Sequence, residues 1–152
     1  MKKIICVLMA VMTLLSFAAC GAGGQNASDE LTLSAMMPMV LENVELPAVV
    51  DIEVTDENFA SYLFIEPPAE YEALVSEAMM SAVAHSVVLL RVTDGSAASL
   101  AEDIRTNANP AKWICVNAEK TIVSQHGNTI LLVMSTEDAA NAIAANFDKL
   151  YE

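Results

Sequence analysis

The distribution of apolar and polar positions divides the chain into a leader and a folded part. Residues 4–17 carry no charge, with Thr13 and Ser16 as their only polar members, and they follow Met1-Lys2-Lys3. Two lysines ahead of an apolar run of about 14 residues make the n- and h-regions of an export signal. A helix that crosses about 30 Å of hydrocarbon needs roughly 18 or more apolar residues. This run attains that length only by borrowing Ala18, Ala19 and the glycines behind them. The pattern therefore favours a signal over a membrane span.

From residue 31 onward the periodicities are those of a globular domain. Leu33, Met36, Met37, Val40, Leu41 and Val44 recur near helical spacing within residues 31–44, and Pro38 inside that stretch predicts a kink or a later start. Pro47 ends the segment, and VVDIEV (49–54) reads as a short extended piece. Thr55, ahead of Asp56-Glu57-Asn58, is expected to cap a short helix through Leu63. After Pro67-Pro68, the stretch AEYEALVSEAMMSAVAHS (69–86) reads as a helix on propensity alone. Residues 86–92, SVVLLRV, form a buried strand rich in β-branched positions, closed by Asp94-Gly95.

The C-terminal half is more regular. Ala97, Leu100, Ala101, Ile104 and Ala108 make one stripe of an amphipathic helix that starts at Ser96 and ends before Asn109-Pro110. Residues 113–116 and 120–125 are strand-like, and Gly127-Asn128 turns the second of these into residues 129–134, a hairpin. Ser135 or Thr136 caps a last helix with Glu137 and Asp138 in its first turn and Lys149 in its last. Its core stripe is Ala139, Ala140, Ile143, Phe147 and Leu150. This order predicts an α+β domain: a small antiparallel sheet of about four strands with helices packed on one face.

The junction between leader and domain changes the picture most. Phe17-Ala18-Ala19-Cys20 puts two small residues before a cysteine, at the distance from the apolar run where a signal peptidase cuts. This resembles the bacterial lipobox, with Phe17 where leucine is usual. Cys20 is thus the expected acceptor of a diacylglyceryl group. Residues 1–19 become a lipoprotein signal peptide, residues 20–30 a flexible tether rich in Gly, Ala, Asn and Ser, and residues 31–152 a single domain. About 120 residues suffice to bury roughly two thirds of the unfolded surface without metals or disulfides.

Cleavage also removes Lys2 and Lys3. The remaining cations are Arg91, Arg105, Lys112, Lys120 and Lys149, against 20 acidic residues, a net charge of −15. Nucleic acid and anionic lipid surfaces repel such a domain. Cys6 leaves with the signal and Cys20 carries lipid, so Cys115 is a lone thiol and no internal disulfide forms.

Candidate chemistry is sparse. A nucleophilic site needs Cys115 or a serine beside a base, and the bases on offer are His85 and His126. Cys115 lies in the apolar Trp-Ile-Cys-Val context of a buried, inert thiol, while His126 at a hairpin turn is expected to be solvated. Carboxylates for a hard cation come from Asp51, Glu53, Asp56 and Glu57, or from Glu66, Glu70 and Glu72, without the glycine of a calcium loop. Zinc-type Cys/His spacing and phosphate-cradling glycine loops do not occur in the domain. Met36, Met37, Met39, Met79 and Met80 read as core, with an adaptable binding surface as the alternative.

One resemblance covers residues 31–151. Thr55-Asp56-Glu57-Asn58, Tyr62-Leu63, Ile65-Glu66-Pro67, Ala78-Met79-Met80-Ser81, Ala84-His85-Ser86, Arg91-Val92 and Gly127-Asn128 follow one another in an order similar to that of exported clostridial lipoproteins carrying a domain of unknown function (number 4358). The resemblance implies a strand over residues 71–77, against the local helix propensity. The chain departs from the family in the short link at residues 107–113. The family has no activity attached, so no catalytic residue carries over.

The expectation is a protein held at the extracytoplasmic face of the cell membrane by a diacylglyceryl anchor on Cys20. Its domain would serve as a binding or structural module for a protein partner at the cell surface. No catalytic residue, metal site, cofactor or nucleic acid is assigned. The alternative is a small surface hydrolase or metal-assisted enzyme; a substrate-capturing importer subunit is disfavoured, since that role needs two lobes around a cleft.

Overall fold

In the computed structural model, residues 27–152 are described. They run through α1 (Leu33–Val40), β1 (Val49–Glu53), α2 (Phe59–Leu63), β2 (Glu72–Ala78), β3 (Ser86–Arg91), α3 (Ala97–Asn107), β4 (Lys120–His126), β5 (Thr129–Ser135) and α4 (Glu137–Lys149). The strands form one antiparallel sheet in the order β1-β2-β3-β5-β4. The α+β antiparallel arrangement is as expected, with five strands rather than four.

The helices cover both faces of the sheet, not one. The reason lies in SVVLLR and TILLVMS, which become the central strands β3 and β5 and are apolar in both alternating sets. Val88, Leu90, Ile130 and Leu132 pack with Val75 under α2, α3 and Trp113. Val87, Leu89, Leu131 and Val133 pack on the opposite side under α1 and α4. A strand that is apolar on both sides must be covered on both, since either face left in water would forfeit about 25 cal/mol per Å².

Local rules explain most element ends. Thr32 accepts a hydrogen bond from the Ala35 N–H at 3.2 Å and starts α1, which keeps Pro38 inside and stops at Val40, short of the predicted Val44. Thr136 caps α4 through the Ala139 N–H, with Glu137, Asp138 and Lys149 where the helix dipole favours them. Asn58, not Thr55, is the residue ahead of α2, and its Oδ1 accepts from the Thr55 N–H at 2.8 Å. Gly127-Asn128 makes the two-residue turn between β4 and β5, with Gly127 at φ 52°.

Two segments depart from their local signals. Residues 72–78 are a strand, as the family resemblance implies, because the slot between β1 and β3 offers ladder partners on both sides, Val75 facing Ile52 and Val88. Tertiary pairing here outweighs helix propensities of a few tenths of a kcal/mol per residue. Residues 113–116, expected as a strand, lie instead in the irregular link between α3 and β4, drawn onto the α2/α3 face by Trp113 and Lys112 rather than paired to a strand.

The signal-like run, Cys20 and residues 21–26 lie outside the described residues. Residues 27–30, assigned to the tether, form a turn of 3-10 helix instead. Ser28 is buried and donates to the Leu150 carbonyl. Arg91 fastens the same segment, donating to the carbonyls of Leu31 at 2.5 Å and Ser28 at 3.4 Å, and to Thr129 Oγ1 at 3.1 Å. The chain thus enters the fold at the end of the sheet marked by Arg91, Thr129 and Glu72.

Candidate functional site

Polar chemistry concentrates at the other end of the sheet. Glu77 and Ser86 are cross-strand partners on the α2/α3 face, and the link after α3 lays Lys112 and Trp113 over them. Lys112 Nζ donates to Glu77 Oε2 at 2.8 Å and to Ser86 Oγ at 3.0 Å, while Trp113 Nε1 donates to Glu77 Oε1 at 3.1 Å. The ammonium also sits 5.0 Å from the Tyr62 ring centre and 4.9 Å from that of Trp113. Burial pulls the Lys112 pKa below its ordinary value, and Glu77 counters that pull. Burial and the Glu77 charge raise that of Tyr62.

This network closes the link at residues 108–119 onto the sheet. It gives Ser86 no route to a substrate, because Ser86 is completely buried. Sequence reasoning did not find Glu77 or Lys112, which are 35 residues apart and meet only through the sheet. The one available signal was a lone lysine beside the single tryptophan in a chain nearly devoid of cations.

His85 lies next to this network on the opposite face. It is fully buried, and its Nδ1 shares a hydrogen bond of 2.9 Å with Ser135 Oγ. His85 Nε2 and Ser76 Oγ, also buried, have no hydrogen-bond partner among the described residues. Burial lowers the His85 pKa, with the Glu77 charge opposing it.

His126 is the last residue of β4, opposite Thr129, and lies about 20 Å from His85 by the strand rise. It is less solvated than its turn position suggests. Its Nε2 lies 2.9 Å from Asp148 Oδ1, and the ring stacks on Tyr151 at 5.0 Å and 19°. Cys115, expected to be buried, is exposed, and its neighbour Ile114 is 97% exposed. The reason is that Lys112 and Trp113 turn inward, leaving Ile114 and Cys115 on the outside of the link before Val116 packs back against the core. The structure therefore scatters the three candidate groups for nucleophilic chemistry.

The acidic candidates are also dispersed. Among the described residues no group of three or more His, Cys, Asp or Glu side chains could hold a metal ion. Asp51 and Glu53 stand on β1, and Asp56 accepts from Tyr71 Oη at 2.8 Å. Burial first and this carboxylate second push the Tyr71 pKa up to about 12. A folded-state value above the unfolded one stabilises the fold up to about pH 10, and this contribution vanishes as pH climbs through about 12. Tyr71→Phe is expected to remove that alkaline component of stability, read from denaturation midpoints measured across this pH window. An unchanged alkaline slope would contradict it.

The methionines divide. Met36 and Met37 are core, whereas Met39, Met79 and Met80 are exposed. An open groove of about 770 Å³ runs between residues 43–47, Val83, Glu119 and the start of α4. Among the described residues no helix is long and apolar enough to cross a membrane. No family model, curated protein or solved structure matches the chain.

Proposed function

We propose that the chain is a lipid-anchored protein of the extracytoplasmic membrane face whose domain is a binding or structural module. The observation that carries this reading is the sequence Phe17-Ala18-Ala19-Cys20 between an apolar run and a small, polar tether. The firm attachment of residues 28–31 to Arg91 and Leu150 supports it, since the fold takes hold of the chain directly after the tether. Two acyl chains on Cys20 give stable anchoring, each buried methylene contributing about 0.8 kcal/mol. Kinship with the exported clostridial lipoproteins belongs to the same proposal and rests on the order of short motifs noted above.

Mass spectrometry of the mature N-terminus tests the anchor. The expected product begins at Cys20 and carries the mass of a diacylglyceryl group, and Cys20→Ser is expected to release or block processing. An unmodified Cys20, or cleavage elsewhere, would sink the proposal. Crosslinking in intact cells tests the module, which requires a reproducible protein neighbour.

A further inference from the structure

The two edges of the sheet are not equivalent. At the β4 edge, Arg105 of α3 donates through Nη2 to the Val123 carbonyl at 3.1 Å, so a side chain already takes an outward carbonyl in the middle of the strand. At the β1 edge the ladder phase can be read from its flanks. Met79 N–H donates to the Ala48 carbonyl at 2.9 Å, and Val54 N–H to the Ala73 carbonyl at 3.2 Å. Antiparallel ladders alternate, so Ala48, Val50, Ile52 and Val54 turn their backbone groups toward β2. Val49, Asp51 and Glu53 turn theirs outward.

Of these outward groups, the Glu53 carbonyl accepts from Asn58 Nδ2 at 3.3 Å. The N–H and C=O of Val49 and Asp51, and the Glu53 N–H, have no hydrogen-bond partner among the described residues. The edge is also two-sided. Asp51 and Glu53 are exposed on the α1/α4 face, while Val50 is 44% exposed on the α2/α3 face beside the half-buried Ile52.

We infer that β1 is a docking edge for an extended segment of a partner protein, which adds as a sixth, outer strand. Its side chains alternate, cationic where they face Asp51 and Glu53 and apolar where they face Val50 and Ile52. Charge complementarity selects this occupant: with a net charge of −15 after cleavage, the domain attracts a basic strand, most strongly within the roughly 8 Å that physiological salt leaves unscreened. A second copy is disfavoured, because its β1 carries two carboxylates and no cation and the domain as a whole is acidic. Pairing two β1 edges about a two-fold at Asp51 sets that carboxylate against its own copy, and like charges directly opposite destabilise a ladder. The tether is also unsuited, since residues 21–28 contain neither a cation nor an alternating apolar set.

The test uses the full mature protein in detergent and a labelled peptide of alternating lysine and valine. Saturable binding is expected, weakening with salt, with slowed amide exchange at residues 49–53. Methylating the lysine backbone nitrogens keeps the charge but removes the donors that face β1, and is expected to weaken binding roughly tenfold or more. The double variant Asp51→Lys, Glu53→Lys is expected to lose binding. Because the methylated peptide is tested on the unaltered protein, the result does not depend on that variant folding.

Equal affinity for the methylated peptide would reduce the contact to diffuse charge attraction and overturn the inference. Protection elsewhere, no binding, or a dimer joined through β1 would do the same. The inference rests on the binding-module reading, and the two fail separately. A neighbour crosslinked through another surface overturns the edge and leaves the module standing, whereas the absence of any neighbour overturns the module.

Discussion

Glu77→Ala is expected to destabilise the domain by about 3 kcal/mol or more, measured by chemical denaturation. Lys112 and Glu77 are only 12% and 15% exposed at their side chains, so removing the carboxylate leaves a largely buried ammonium without its counter-charge. Trp113 Nε1 loses its acceptor in the same step. Pairing Glu77→Met with Lys112→Met removes both charges together and is expected to recover much of the loss. The two substitutions should therefore be strongly non-additive. Additive losses would mean that the pair contributes only packing. In the single variant, amide exchange at residues 108–119 should rise before that of β3 and β5, because that link has no strand ladder of its own.

The second large effect concerns acid. His85 is buried neutral, with its pKa held below 6.5 mainly by desolvation. The unfolded chain takes up a proton near pH 6.5, while the folded one does not until a lower pH. Stability is therefore unaffected by this group above about pH 6.5 and falls as pH drops below it, at up to about 1.4 kcal/mol per unit. The Glu77 charge moderates the fall. His85→Gln is expected to be less stable at neutral pH, since it loses the contact with Ser135, but to show a flatter slope between pH 6.5 and the range where carboxylates titrate. An identical slope in both proteins would show that His85 is not the group responsible. The comparison of slopes matters because the strongly acidic chain has other titrations at lower pH.

How much of this was legible in advance differs by element. The last helix could be read to its cap, because Thr136, Glu137, Asp138 and Lys149 act locally and every signal agrees. The hairpin at Gly127-Asn128 was equally plain. Helices were expected on one face of the sheet only, although SVVLLR, with its consecutive apolar residues, leaves no polar side and both faces are covered. Residues 72–78 were not legible from their own composition, since what holds them extended is the pair of strands on either side. Trp113 to Val116 misled for the opposite reason: an apolar, β-branched run is satisfied by one buried tryptophan and leaves Ile114 in water.

The candidate sites follow the same division. Cys20 is proposed from a linear signal, its immediate neighbours alone. The Lys112–Glu77–Ser86 contact joins three distant segments, and no spacing rule reaches across them. The open edge at β1 is further still from the sequence. Whether VVDIE has one neighbour or two depends on the strand order of the whole sheet, and the side it leaves bare depends on the ladder phase.

The grip of Arg91 on residues 28–31 has a mechanical consequence for an anchored protein. With Cys20 anchored as proposed, tension from the membrane side would reach the C-terminal end of β3, the middle strand, through Arg91, and a pull along the strand would load it in shear. The hydrogen bonds on both sides of β3 lie across that direction and resist together in shear. Tension applied at an outer strand would instead open its bonds one after another. Drag on a partner bound at β1 would thus pass through β2 and β3 to the segment held by Arg91.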